Sequence, residues 1–129
     1  MPNECYNRVR IGANKDTIDI LSGSTNTTDT WYTDFKKATS SYSETQIEKK
    51  GEKGIILHFT TAWRPPYDAF QDLIEKKRDV WLKCDWQEEG GLSGVFVGHW
   101  DAEAGSTNIK ELHWDDWCIE EYHYRMRVN

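Results

Sequence analysis

Ile55-Ile56-Leu57-His58-Phe59-Thr60-Thr61-Ala62-Trp63-Arg64-Pro65-Pro66 is the stretch that decides the fold. Ile55, Leu57 and Phe59 alternate with Ile56, His58 and Thr60, a period of two that makes a strand with one strongly apolar face and one mixed face. Arg64-Pro65-Pro66 then forces extended backbone followed by a pre-set helical φ, so a helix begins at about Pro66. Phe70, Leu73, Ile74 and Lys77 fall on one stripe of that helix, with the lysine stem at its rim. Trp63 is expected to pack over the helix start while the prolines fix the turn. The competing reading presents Trp63 and Arg64 to a nucleotide or a partner as a stacking and cation pair.

Downstream, Asp79 to Trp86 reads as another strand, with Val80, Leu82, Cys84 and Trp86 on one side and Trp81, Lys83 and Asp85 on the other. Glu88-Glu89-Gly90-Gly91 is a hairpin loop, because paired glycines supply the positive φ that a return needs. Gly94 to Trp100 returns antiparallel, and Tyr122, Tyr124, Met126 and Val128 alternate as a further edge strand. Upstream, Cys5, Asn7, Val9 and Ile11 alternate with Tyr6, Arg8 and Arg10 in a strand that ends at Gly12. Asn14 caps a short helix that carries Ile18 and Leu21 on one face and stops at Gly23. From Ser22 to Lys50, 12 of 29 residues are Ser or Thr, which marks a mobile insertion. Within it Trp31, Phe35, Ala38 and Tyr42 recur at helical spacing, so a helix near 30–42 lays an aromatic stripe on the domain.

That order predicts an α+β domain of ferredoxin-like type: an antiparallel sheet with helices packed on one face. Residues 1–129 form one domain, with the Ser/Thr-rich insertion at 22–50 and an acidic extension at 102–129. The elements fall as βαβαββ, a rearrangement of the standard order, which places its second helix after the third strand.

The chain is 129 residues long, one domain's worth, and its 7 Trp, 6 Tyr and 4 Phe supply a core from a few large side chains although apolar residues are only 37%. Disorder, collagen and membrane spanning are excluded by that composition. The formal charge is −6, which argues against general electrostatic binding to nucleic acid or anionic membrane. Residues 1–50 carry seven acids and seven bases, whereas Asp85 to Glu121 holds ten acids against the single base Lys110. Trp86, Trp100, Trp114 and Trp117 interleave with those acids, the pairing of aromatic and fixed charge from which interface hot spots are built. No charged-then-apolar leader pattern opens the chain, so a cytoplasmic location is expected.

Met-Pro-Asn-x-Cys-x-Asn at the start, Phe59-Thr-Thr-Ala-Trp63-x-Pro-Pro66 leading into a helix, and Trp86-x-Glu-Glu-Gly90 before a Gly-rich strand together resemble the phage and prophage Api-type proteins with a ferredoxin-like domain. The likeness covers residues 1–13 and 55–100. It departs at Glu4, where the family has Trp, and in 22–50, which lacks the family's Asn-Phe and Pro-rich segment. The resemblance implies a mobile-element origin and a ferredoxin-like core without an iron-sulfur cluster, which three scattered cysteines would not hold.

No catalytic motif emerges. His58, His99, His113 and His123 with Cys5, Cys84 and Cys118 show neither CxxC nor HExxH spacing, so no metal and no cofactor is expected. Asp115-Asp116 and Glu120-Glu121 lie in no loop with calcium-binding spacing. Gly90, Gly91 and Gly94 open a strand rather than a helix and do not cradle phosphate. Cys84, between Leu82 and Trp86 on an apolar face, reads as an inert thiol.

The favoured function is therefore non-enzymatic: an inhibitor from a phage or related element that occupies a basic, nucleic-acid-binding surface of a host defence protein such as a CRISPR effector. Its expected protein-binding face comprises Glu88, Glu89, Asp101, Glu103, Trp114, Asp115, Asp116, Trp117, Glu120 and Glu121. The partner is a basic host protein; direct contact with nucleic acid or membrane is not expected. The alternative is a small-molecule binder, a sponge for a nucleotide signal, for which Trp63, Arg64, Trp81 and Lys83 are the candidates. A hydrolase is the third class in play.

Overall fold

The structure, a computed structural model, describes residues 3–115. Its elements are β1 (Glu4–Gly12), α1 (Lys15–Leu21), α2 (Thr30–Ser40), β2 (Gln46–Lys50), β3 (Gly54–Ala62), α3 (Tyr67–Lys76), β4 (Trp81–Glu88), β5 (Leu92–Asp101) and β6 (Ser106–Asp115). The six strands form one sheet in the order β2-β3-β1-β4-β5-β6, antiparallel throughout.

Period-two alternation sets which side of this sheet is buried. Cys5, Val9 and Ile11 of β1, Ile55, Leu57 and Phe59 of β3, and Leu82, Cys84 and Trp86 of β4 all point to one side. The helices close over that side with Ile18 and Leu21 from α1, Trp31 and Phe35 from α2, and Phe70, Leu73 and Ile74 from α3. Phe70 is the hub: its ring centroid lies 5.3 Å from Phe96 and 6.4 Å from Phe59, in tilted and edge-on geometries that aromatic quadrupoles favour.

The helix after the proline pair starts at Tyr67 with Pro66 at its N-cap. Pro65 is among the fully buried side chains, so it is this ring and not Trp63 that locks the junction. Trp63 is 59% exposed and has φ 69°, which corrects the expectation that it packs over the helix start.

The 22–50 stretch also needs correction, because its end is structural. Gln46–Lys50 is an edge strand paired with β3, and with it the chain reads β-αα-β-β-α-β through β4, a helix pair filling the first crossover, in the spatial order β2-β3-β1-β4. That is the standard ferredoxin-like arrangement rather than a rearranged one. The β5–β6 hairpin is an addition that widens the sheet past β4, so the first part of the expected acidic extension is a strand. The start of the stretch is tied back as well, through Ser24 and Thr25 N–H groups donating to the Asp19 carbonyl. The strand expected at 122–128 lies outside the described residues.

Asp79 performs a job that Asn14 was expected to do. Asn14 makes no side-chain cap bond. Instead the Asp79 carboxylate, arriving from the α3–β4 loop, accepts from the Asn14 N–H at 2.9 Å and the Thr17 hydroxyl at 3.0 Å, placing negative charge at the start of α1.

Candidate functional site

No described element packs on the second face of the sheet, and the strand registers assemble its side chains into rows. In one row Gly54, Gly12, Trp81, His99 and Asn108 are successive partners on β3, β1, β4, β5 and β6. The next row runs Lys49, Ile56, Arg10, Lys83, Val97 and Lys110 from β2 to β6. A third contains His58, Arg8, Asp85, Val95 and Leu112. Tyr6, 48% exposed, lies one row further along β1.

Where the first two rows cross β2, β3 and β1, with Trp81 of β4 beside them, they enclose a depression of about 390 Å³. Its floor exists because Gly12 and Gly54 carry no side chain: a Cβ on Gly12 would come within 3.9 Å of Trp81 Cε3. Trp81, 42% exposed, forms one wall, Ile56 lies in the bottom, and Arg10 and Lys49 line the rim. This is an apolar slot beside a planar ring, bordered by cations. A flat group carrying negative charge fits that chemistry, since the ring stacks and the rim neutralises.

The cations differ in how far they are committed. Arg8 donates to Glu48 from Nε at 3.2 Å and from Nη2 at 2.7 Å, and His58 Nε2 lies 2.7 Å from the same carboxylate. Arg8, with His58 second, holds the Glu48 carboxyl at about 2, below the usual carboxylate range. Arg10 has only a loose pair with Asp85 at 3.9 Å. Lys49, Lys83 and Lys110 form no ion pair among the described residues.

The acids expected to share a face do not come together among the described residues. Glu88 is buried and its carboxylate accepts the Gly90 N–H at 2.8 Å. Glu89 is exposed, but its Oε1 accepts the Glu4 N–H at 2.8 Å and its own N–H donates to the Glu4 carbonyl. Asp101 braces the β5–β6 turn by accepting from the Glu103 and Ala104 N–H groups, and Glu103 lies exposed in that turn. The two turns sit at opposite ends of β5, a ten-residue strand spanning ~30 Å at the usual rise. Trp114 and Asp115 end β6 in register with Ser93 and Leu92; Asp116, Trp117, Glu120 and Glu121 lie outside the described residues.

The candidates for a nucleotide site also divide. Trp63 follows β3 at the Glu4 end of β1, where its N–H donates to the Asn3 carbonyl, and Arg64 lies beside it. Trp81 is paired with Gly12 at the other end of that nine-residue strand, ~26 Å away. Trp81 and Lys83 belong to the open face. Arg10, Lys49 and Lys110, which join them there, escaped the sequence reading. The signal for Arg10 was present in the alternation of β1, but only the register reveals that it adjoins Lys83.

Among the described residues no group of three or more His, Cys, Asp or Glu side chains gathers in a metal-binding arrangement. Cys5 and Cys84 are buried and free, and both thiols point at Asn7 Oδ1. Burial pushes the Cys5 thiol up to about 11 and the Cys84 thiol higher still, so neither is a thiolate nucleophile near neutral pH. No described helix is long and apolar enough to cross a membrane.

A family model described as the ferredoxin-like domain in Api92-like protein matches residues 39–126, more than half of the chain. The chain belongs to this family. The match begins inside α2 and takes in the added hairpin, so β5 and β6 lie within the family's own domain unit. The Api92-like assignment and the six-stranded antiparallel sheet with three helices agree on the fold class. No curated protein and no solved structure matches the chain.

Proposed function

We propose that the chain is a non-enzymatic binding protein of a mobile element, acting in the host cytoplasm, whose open sheet face takes a nucleotide-type ligand. The observation that carries this reading is the Gly12–Gly54 slot beside Trp81, lined by Arg10 and Lys49, with Lys83 next to Arg10 on the neighbouring strand. A base stacks on the indole edge of the slot and a phosphate meets the cations, so one site supplies both recognition elements. Nothing in the slot resembles a nucleophile or a general base, and the reading is one of capture.

Titration calorimetry with AMP and GMP tests it, alongside mass spectrometry of small molecules carried through purification. Saturable binding is expected, lost in Trp81→Ala and weakened at least about tenfold in Lys83→Glu, the scale of a lost charge-assisted contact. Gly12→Val fills the slot without altering charge and is expected to abolish binding as well. Wild-type affinity in both Trp81→Ala and Gly12→Val sinks the proposal.

The reading as an inhibitor of a host defence protein stands second. It draws on the acid excess of residues 85–121, and its described acids are divided between a buried site and two distant turns.

A further inference from the structure

We infer that the open face binds an extended single strand of nucleic acid laid across the β-strands, rather than a mononucleotide alone. The inference deepens the nucleotide reading and rests on it. What carries it is the length of the cationic row. Lys49, Ile56, Arg10, Lys83, Val97 and Lys110 occupy six successive strands, so at the usual inter-strand spacing the row spans ~24 Å. One nucleotide in the slot meets the cations at the Lys49–Arg10 end of the row and leaves the Lys110 end unmet. A backbone of about four phosphates, with the lysine side chains reaching in from both edges, runs from Lys49 to Lys110.

The row next to it supplies the stacking surfaces. Trp81 and His99 are direct partners across β4 and β5, both exposed, and they stand two residues along their strands from Lys83 and Val97, on the same face. Two successive bases therefore find adjacent planar side chains while their phosphates lie on the cations, the arrangement by which single strands are held without regard to sequence. The sign of this row is opposite to that of the whole chain. Against Arg8, Arg10, Lys49, Lys83 and Lys110, the central rows of this face hold the carboxylates Glu48 and Asp85, and Glu48 is already engaged by Arg8 and His58. An anionic ligand thus meets a local field of the favourable sign on a molecule of net charge −6.

Fluorescence anisotropy with labelled decamers of uridylate and of thymidylate, and competition by UMP, tests the inference. Either decamer is expected to bind about tenfold or more tightly than UMP, and the preferred decamer identifies the sugar. Binding should weaken with salt on a log–log slope of about −3, near −0.7 for each of four phosphate contacts. Lys110→Glu is expected to make the slope shallower by about 0.7 while leaving UMP binding within about twofold, because Lys110 stands on β6, outside the slot that holds a mononucleotide. His99→Ala should weaken the decamer alone, and Trp81→Ala both ligands. Circular dichroism of each variant confirms folding, which exposed substitutions leave intact. Decamers that bind no better than UMP, with Lys110→Glu silent, overturn the extended-strand inference and leave the nucleotide reading standing. Failure of UMP and both decamers to bind overturns the two together.

Discussion

Leu57 projects from β3 into the helix-covered core, where it is 3% exposed, and its replacement by Ala should cost about 2–5 kcal/mol as a large-to-small core change. Chemical denaturation checks this; an unchanged midpoint removes β3 from the core. Gly94 makes the complementary case. A methyl there would lie 2.6 Å from Trp86 Cζ2 and 2.5 Å from the Leu112 carbonyl, so the indole occupies the space the missing side chain leaves. Gly94→Ala is expected to destabilise by about 1–3 kcal/mol, the cost of overpacking, measurable as a lower Tm. Leu57 was legible in the sequence because alternation alone assigns a core face. The role of Gly94 was not, since it depends on which ring the neighbouring strand brings across it. The same holds for Glu88, read as a surface acid: it stands at the core-facing parity of β4, and a single backbone N–H in the following turn decides that it is satisfied there.

At the scale of elements, the strands that the sequence revealed are those flanked by core on one side. β3 and β4 alternate cleanly, and α3 announces itself through its prolines. β2 went unread because all five of its residues are exposed; an edge strand with a register shift between Ile47 and Lys49 has no apolar alternation to display. β6 is similar, with Ile109 its one aliphatic side chain packed against the core. What fastens β2 is the Glu48 carboxylate, reaching His58 on β3 and Arg8 on β1. Its lowered pKa means that this contribution is present above the ordinary value of 4.5 and is lost as pH falls towards about 2. Glu48→Gln should therefore flatten the fall in Tm over that acid window while changing little at pH 7, because the pair is exposed. A wild-type acid profile in the variant shows that the edge is held by its backbone ladder alone.

For the whole molecule, the sum of charges concealed their arrangement. A formal −6 suggested an acidic partner-binding surface, whereas the registers gather Arg10, Lys49, Lys83 and Lys110 on one side of the sheet, where Asp85 and Glu48 are the carboxylates of the central rows, and place Glu89, Asp101 and Glu103 at the strand ends and turns. The protein is thus expected to bind both an anion exchanger and phosphocellulose at low salt, through different faces. Arg10→Glu combined with Lys83→Glu should abolish retention on phosphocellulose without weakening retention on the anion exchanger. Equal loss or no loss on both resins contradicts a segregated field. No single-sequence reading reaches this result, because the cations come from segments up to 100 residues apart, from Arg10 to Lys110.

The position of β1 in the middle of the sheet carries a consequence for synthesis. It precedes both of its neighbours in the chain, and its second ladder waits for Glu88. At translation rates of about 5–20 residues per second, the interval from Gly12 to Glu88 is roughly 4 to 15 s. Throughout that time the edge of β1 that β4 will occupy has no partner beside Cys5, Val9 and Ile11. Arg8 and Arg10, placed between the apolar residues, repel a second nascent copy during this delay, so the charges that line the finished face first act as gatekeepers on the ribosome.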